Sequence, residues 1–249
     1  MLIDIVTPVI IAKNAQETIS ETLDSLMLFS EVVLYLNNST DDTNSIAVSY
    51  DNVKIIEGEF IGFGPTKNRA AEFASTDWIL SLDSDEVLNE ELVNEITQQD
   101  FLDKYNVFFL NRDNYFLNIK TSTNNFIARI YNRHYTQLTD DVVHEKIIIT
   151  DKTNKIMLKK TFKHNNITDI NQSLTKMIHY TDLGAKDKKT CFFIIVIFRA
   201  LFAFFRKYLL RLHILNGWRG FVISINQANR SFYKYVKQYI NCQKNKEKN

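Results

Sequence analysis

Residues 78 to 86 read Trp-Ile-Leu-Ser-Leu-Asp-Ser-Asp-Glu. An apolar run stops at two carboxylates one residue apart, Asp83 and Asp85. Hard divalent cations take oxygen ligands, and Mg²⁺ is commonly held by one or two carboxylates together with substrate phosphates. In an extended strand residues i and i+2 point the same way, so both acids can face one site. The chemistry this suggests is a cation gripping a diphosphate. An isolated Asp-x-Asp also fits a plain strand end that meets water or caps the next helix, so its surroundings must decide.

The chain has 249 residues, enough for one large domain or for one domain with an appendage. Its apolar share of 45% and charged share of 24% are those of a globular protein that buries a core. The two cysteines, Cys191 and Cys242, offer neither a disulfide framework nor a Cys-x-x-Cys metal pair, so a reducing compartment is expected. The opening Met-Leu-Ile-Asp lacks a basic n-region, which argues against a secretory signal. The net charge of +1 conceals a division. Lys186 to Asn249 carry 14 Lys and Arg against two acids, while the first 185 residues carry 16 bases and 27 acids. A basic tail of this kind points to an anionic partner.

The elements that must position the acids follow from apolar patterning. Ile3–Ile11, Glu31–Leu36, Val53–Ile56 and Trp78–Leu82 read as strands, the first buried on both faces. Helices are expected from Asn14, with Asn14 and Glu17 spaced as a capping box, from about Asp41 to Tyr50, and from Pro65 to about Ala74. Strands alternating with helices predict an α/β fold with a doubly wound, mostly parallel sheet. Its strands end on one rim, where ligands bind in such sheets. That rim holds Ala12-Lys13-Asn14, Leu36-Asn37-Asn38 and Asp83-Ser84-Asp85. Beyond a helix at Asn89–Gln98, strands are expected at Val107–Leu110, Phe126–Tyr131, Val142–Ile149 and Ile156–Phe162, and the chain reads helical from about Asn171. Residues 1–165 are expected to form the α/β domain, with a nucleotide half to about 100 and an acceptor half after it, and 166–249 a basic helical region.

Several strings in order, NNSTDDT from Asn37, FGPTKN from Phe63, LSLDSDE from Leu80, VHE from Val143 and LNGWRGF from Leu215, together resemble the family 2 glycosyltransferases. They are most similar to the branch that adds a hexose, typically glucose, to the inner core of bacterial lipopolysaccharide or lipooligosaccharide, the β-1,4-glucosyltransferases. The resemblance spans roughly Ile3 to Tyr239. It implies a GT-A fold and inverting transfer from a nucleotide-sugar, a UDP-sugar by preference, with Mg²⁺ or Mn²⁺. Asp83 and Asp85 match the family's Asp-x-Asp, which assigns them to donor ribose and metal, Asp85 the more direct ligand. His164 stands where a late histidine completes the metal shell in many such enzymes. Lys13, Asn14, Asn37, Lys67 and Arg129 fall at donor-binding positions. Lys67 opens a helix near the rim, where a cation and the helix dipole favour phosphate. Glu145 is implied as the base that deprotonates the acceptor, with Asp141 in reserve. On the residues alone, Glu145 reads as an ion-paired strand residue, His144 as a packing histidine and Lys67 equally as a solvated helix lysine.

Ala12, Ala15, Leu36, Asn37 and Asn38 depart from the family pattern, Ala15 and Leu36 with the plainest consequence. Ala15 stands where a Glu is usual after the first strand, and Leu36 where an acid usually meets the nucleotide. A nucleotide-binding scaffold that lost catalysis is therefore a competing expectation. A sugar nucleotidyltransferase is another, but Ala12-Lys13-Asn14-Ala15 lacks the glycines of its phosphate loop. In the tail, CFFIIVIFRALFAFF from Cys191 is too short to span a bilayer and is interrupted by Arg199. A basic amphipathic helix suits an anionic membrane surface, here the cytoplasmic face of the bacterial inner membrane, where a lipid-linked core oligosaccharide acceptor would be met. No nucleic-acid reading motif is present.

Overall fold

A computed structural model describes residues 3–116, 119–141, 145–167, 170–185 and 190–246. The chain divides into two compact units. The first comprises residues 1–114 and 124–165, the second residues 115–123 and 166–249.

The first unit is built on an eight-stranded sheet. In chain order its strands are β1 (Val6–Ala12), β2 (Val32–Leu36), β3 (Val53–Glu57), β4 (Trp78–Asp83), β5 (Glu86–Leu88), β6 (Asn106–Phe116), β7 (Ile119–Asn132) and β8 (Asn154–Ile167). They lie in the order β3-β2-β1-β4-β7-β6-β8-β5. The first four are parallel, β7 joins β4 antiparallel, and β5 joins β8 antiparallel. Helices α1 (Ile19–Asp24), α2 (Thr43–Ala47), α3 (Phe63–Ala71) and α4 (Glu90–Thr97) supply the crossovers and flank the sheet.

Alternate residues of each central strand enter different cores. Ile10, Leu34 and Leu80 pack with Ile19 and Leu23 of α1 and with Leu92 and Ile96 of α4. Val9, Val33 and Ile79 pack with Ala70 and Ala71 of α3 on the opposite face. Two covered faces explain why these strands read as unbroken apolar runs. The parallel register sets Ala12 beside Leu36 and Ile11 beside Asp83, so three loops leave one rim together.

Three local expectations are corrected. Asn14 does not open a helix. It takes a left-handed φ of 53°, and its Oδ1 accepts from the Thr40 backbone N–H at 2.8 Å, tying the loop after β1 to the loop after β2. Asn tolerates that backbone region, and its side chain bonds here across loops rather than back to its own helix. The segment Val142–Ile149 is not a strand over its described part: Ile147 makes a single bridge to Leu138, while 142–144, His144 among them, lie outside the described residues. The last strand continues past Phe162 to Ile167, so His164 sits within β8 and not after it.

The second unit contains α5 (Ile170–Ala185), α6 (Phe193–Phe205) and α7 (Gly217–Lys246). A wide turn at Arg206–Leu210 and a 3-10 turn at His213–Asn216 reverse the chain between α6 and α7. Gly217 takes φ +57° at that corner. The reversal brings Cys191 and Cys242 within 5.5 Å between Cα atoms, and the two are disulfide-bonded across 51 residues of sequence. This corrects the expectation of two separate thiols, because proximity here comes from helix pairing and not from cysteine spacing. Among the described residues no helix is long and apolar enough to cross a membrane.

The corner is tight. A Cβ on Gly220 would lie 1.7 Å from the His213 carbonyl oxygen, which is backbone and cannot swing aside. Gly220→Ala should therefore lower the denaturation midpoint of the second unit, at a cost of about 1–3 kcal/mol. An unchanged midpoint would refute the close approach. His213 itself is buried. Burial first, then the Lys207 and Arg211 charges, depress its pKa from 6.5 to about 4. The unfolded chain then binds the proton more readily, so stability should fall as pH drops from about 6.5 towards 4. Melting curves should show a smaller loss across that window in His213→Gln than in the parent.

Candidate active site at the sheet rim

β4 delivers Asp83 to the rim, and a two-residue turn, Ser84-Asp85, returns the chain as β5. The two acids therefore do not occupy equivalent strand positions. Asp83 ends the strand and Asp85 sits in the turn, and each meets a different partner. The turn is held by its own fourth residue: the Asp83 backbone N–H donates to Glu86 Oε2 at 3.1 Å.

Lys67 lies at the centre of the site. It is only 1% exposed, although it belongs to α3 near the surface rim. Its Nζ donates to Asp83 Oδ1 at 2.6 Å and to Glu145 Oε1 at 2.8 Å. Burial alone would lower its pKa, but Asp83, with Glu145, more than reverses that against the nearby Arg129 and raises it above the ordinary lysine value. Arg129, carried by β7, donates from Nη2 to Asp83 Oδ2 at 3.1 Å and makes a very short contact to Glu86 Oε1. Burial would raise the Asp83 pKa, and Lys67 and Arg129 overcome it, holding the carboxylate well below its usual range. The side chain is still 36% exposed at the opening, so water tempers that shift. Glu86 is wholly buried, and burial pushes its pKa up despite Arg129.

Asp85 faces another way. Its Oδ1 lies 3.5 Å from His164 Nε2. The pairing of β5 with β8 sets His164 directly opposite Glu86, which is how a residue 79 positions along the chain reaches this turn. His164 Nδ1 lies 3.2 Å from Asn114 Oδ1. A ring nitrogen engaged in this way orients the ring and leaves Nε2 turned towards Asp85. Among the described residues no group of three or more His, Cys, Asp or Glu side chains is arranged to hold a metal ion. The donor set present is a carboxylate oxygen and an imidazole nitrogen. That set fits Mg²⁺ or Mn²⁺ whose remaining ligands are phosphate oxygens and water.

The other expected residues distribute as follows. Asn37, directly after β2, is buried and donates its backbone N–H to the Ala12 carbonyl at 3.0 Å. Its side-chain Oδ1 is buried without a hydrogen-bond partner among the described residues, an acceptor held ready at the rim. Lys13 is exposed beside it, and Asn14 serves the loop bond described above. Asp141 is exposed and accepts from Thr139 Oγ1 at 2.8 Å. Leu36 and Ala15, the two plainest departures from the family pattern, are core residues. Lys67 and Arg129 were expected to face donor phosphate, yet here each spends its charge on carboxylates. Glu86 was missed, although an acid next to Asp-x-Asp and an Arg inside an apolar strand together signal a buried pair.

Acids and cations gather at the strand ends of this sheet. The chain belongs to Glycosyl transferase family 2, whose profile matches residues 7–165. It is 28% identical over 249 residues to an uncharacterized glycosyltransferase of Rickettsia felis, covering 92% of this chain and 87% of that protein. A Rickettsia conorii glycosyltransferase matches at the same identity and coverage, 28% over 249 residues with 92% and 87%. Staphylococcus aureus TarS residues 1–349, solved with UDP-GlcNAc, is 18% identical with a TM-score of 0.42, covering 63% of this chain and 59% of that one.

Gly64 allows the segment that carries Thr139 and Glu145 to pass close to α3. A Cβ there would lie 1.8 Å from the Thr139 carbonyl and 3.4 Å from the Glu145 Cβ. Lys67→Met should leave Asp83 and Glu145 without their shared cation at a cost of about 3–5 kcal/mol near neutral pH. Asp83 is held below its ordinary value of 3.8, so its contribution is present above that pH and lost as pH falls beneath it. Chemical denaturation of both proteins should therefore show the gap narrowing below about pH 4. A constant gap would contradict the pairing.

Proposed function

We propose that this glycosyltransferase inverts configuration while moving a hexose, glucose by preference, from a UDP-sugar to a lipid-linked core oligosaccharide of the lipopolysaccharide or lipooligosaccharide type. The observation that carries the site assignment is Lys67 Nζ bonded at once to Asp83 and Glu145. It joins the acidic turn at the rim to a carboxylate from a distant segment. The sugar and acceptor classes derive from the resemblance of the ordered motifs.

In this reading Asn37 Oδ1 and Asp83 meet the nucleoside, the first as an acceptor for a base N–H. Asp85 and His164 would hold Mg²⁺ or Mn²⁺, which would supply positive charge against the diphosphate. Glu145 is the base. As the acceptor oxygen bonds to the anomeric carbon, its proton passes to the Glu145 carboxylate. The bond from that carbon to the diphosphate breaks, and the electron pair leaves with the nucleoside diphosphate. Lys67 holds the ionised Glu145 in place beforehand. Asp141, out in solvent and held by Thr139, is the reserve candidate.

The second unit supports a place on the membrane surface, at the cytoplasmic face of the inner membrane. On α6, Ile194, Phe198, Leu201 and Phe205 recur at helical spacing and are 69%, 71%, 53% and 52% exposed. Arg199 and Arg206 flank that stripe. An apolar face edged by cations fits the headgroup boundary of an anionic bilayer. The Cys191–Cys242 bond is the one feature that a reducing cytoplasm does not favour.

Glu145→Gln should reduce kcat about 10²- to 10⁴-fold with little change in donor KM, and Asp141→Asn should not. Full turnover by Glu145→Gln would remove it as the base. The released product should be nucleoside diphosphate, and pyrophosphate would favour a nucleotidyltransferase. Glycolipid from cells lacking the active enzyme should be lighter by one hexose. Phe198→Asp with Leu201→Asp should release the full chain from vesicles containing phosphatidylglycerol.

A further inference from the structure

Between α6 and α7 lies a cavity of about 360 Å³ wholly within the second unit. Four cations line it, Arg199 from α6, Arg206 from the turn that follows α6, and Arg230 and Lys234 from α7. No acidic side chain lines it. Among the described residues none of the four forms a salt bridge, whereas Lys237, one turn further along α7, is paired with Asp182 at 2.6 Å. Gathering four like charges around one hollow is unfavourable unless an anion neutralises them.

The cations are also held in position. Arg199 donates from Nη1 to the Tyr235 hydroxyl at 2.5 Å, and its guanidinium lies 4.4 Å from the Tyr235 ring centre. Arg230 lies over the Tyr180 ring at 4.8 Å. Aromatic faces satisfy part of a guanidinium without consuming its charge, so the N–H groups stay available to an oxyanion. Planar guanidinium forks beside an ammonium suit a tetrahedral phosphate.

The neighbouring surface names the source of that phosphate. Arg199 and Arg206 each follow by one residue a member of the exposed apolar stripe, Phe198 and Phe205. One residue is about 100° of helical rotation, so the cations stand on the cavity side of the stripe. Phe202 lines the cavity and is itself 55% exposed. A ligand with its phosphate among the cations would therefore lay its chains along exposed Phe and Leu. That describes a lipid, and neither a free anion nor a nucleic acid would use the apolar half.

We propose that the α6–α7 cavity is a binding site for the phosphate headgroup of an anionic lipid, ordering one lipid molecule against the enzyme. The inference deepens the membrane reading above and depends on it. It adds a stoichiometric, phosphate-selective site to a general surface affinity.

The test uses the full chain and vesicles of phosphatidylcholine doped to equal surface charge with either phosphatidic acid or cholesteryl hemisuccinate, a carboxylate. The parent should bind the phosphatidic acid vesicles more tightly. Arg199→Gln/Arg230→Gln should lose about tenfold or more of that affinity and the preference with it. Arg211→Gln/Lys244→Gln, with the same charge removed outside the cavity, should keep the preference. Equal losses in the two double variants, or no preference in the parent, would overturn the site while leaving general membrane docking intact. A parent that binds neither vesicle would overturn both. Inorganic phosphate or a single-stranded oligonucleotide binding to the cavity in preference to the vesicles would overturn the lipid assignment. Circular dichroism of each variant checks that it folds.

Discussion

A single buried ammonium organises this enzyme's rim. Lys67 Nζ touches one carboxylate from the end of β4 and another from the segment after β7. An unpaired charge at this depth would cost several kcal/mol, and a pair with good geometry recovers it. The constraint works both ways. Asp83 and Glu145 cannot separate without stranding Lys67, and Lys67 cannot turn out to solvent without leaving two acids facing each other. Arg129 repeats the device one step deeper, tying Asp83 to the fully buried Glu86. The rim is thus a chain of alternating charges, Glu145, Lys67, Asp83, Arg129 and Glu86, drawn from four places in the sequence.

This chain divides the labour of the two aspartates. With both oxygens occupied by cations, Asp83 is fixed in position and charge. Asp85, two residues on, lies in the turn between β4 and β5 and faces His164. The antiparallel pairing of β5 with β8 is what puts the histidine there, and Asn114 orients its ring. Among the described residues, pinning Asp83 leaves Asp85 and His164 as the protein donors near the turn. A cation held there would then need the diphosphate to complete its shell, which ties cation occupancy to substrate.

Much of the scaffold was legible in the sequence because it obeys local rules. Four strands covered on both faces are four apolar runs, and Asn89 caps α4 by accepting from the Leu92 N–H as its residue type suggests. Asp83 and Asp85 announced themselves by interrupting such a run. The long-range pairings were not legible. Lys67 and Glu145 are 78 residues apart, and a lysine at a helix start reads as solvated until the fold closes over it. Glu86 hid because one acid after two others looks like surface charge. Asn14 misled because Asn at a strand end fits a helix cap and a left-handed turn alike. Cys191 and Cys242 meet only because α6 and α7 fold back on each other, which no spacing rule encodes.

The proposal at the centre of this account is that Lys67 and Arg129 reserve Asp83, leaving Asp85 and His164, among the described residues, as the pair that would hold a cation. Titration of the full chain with Mn²⁺, followed by electron paramagnetic resonance with and without UDP, tests it most directly. The account predicts weak binding of the bare ion and much tighter binding once UDP is present, lost in both cases when Asp85 is replaced by Asn. Tight binding of Mn²⁺ without nucleotide, or binding that survives the loss of Asp85, would contradict it.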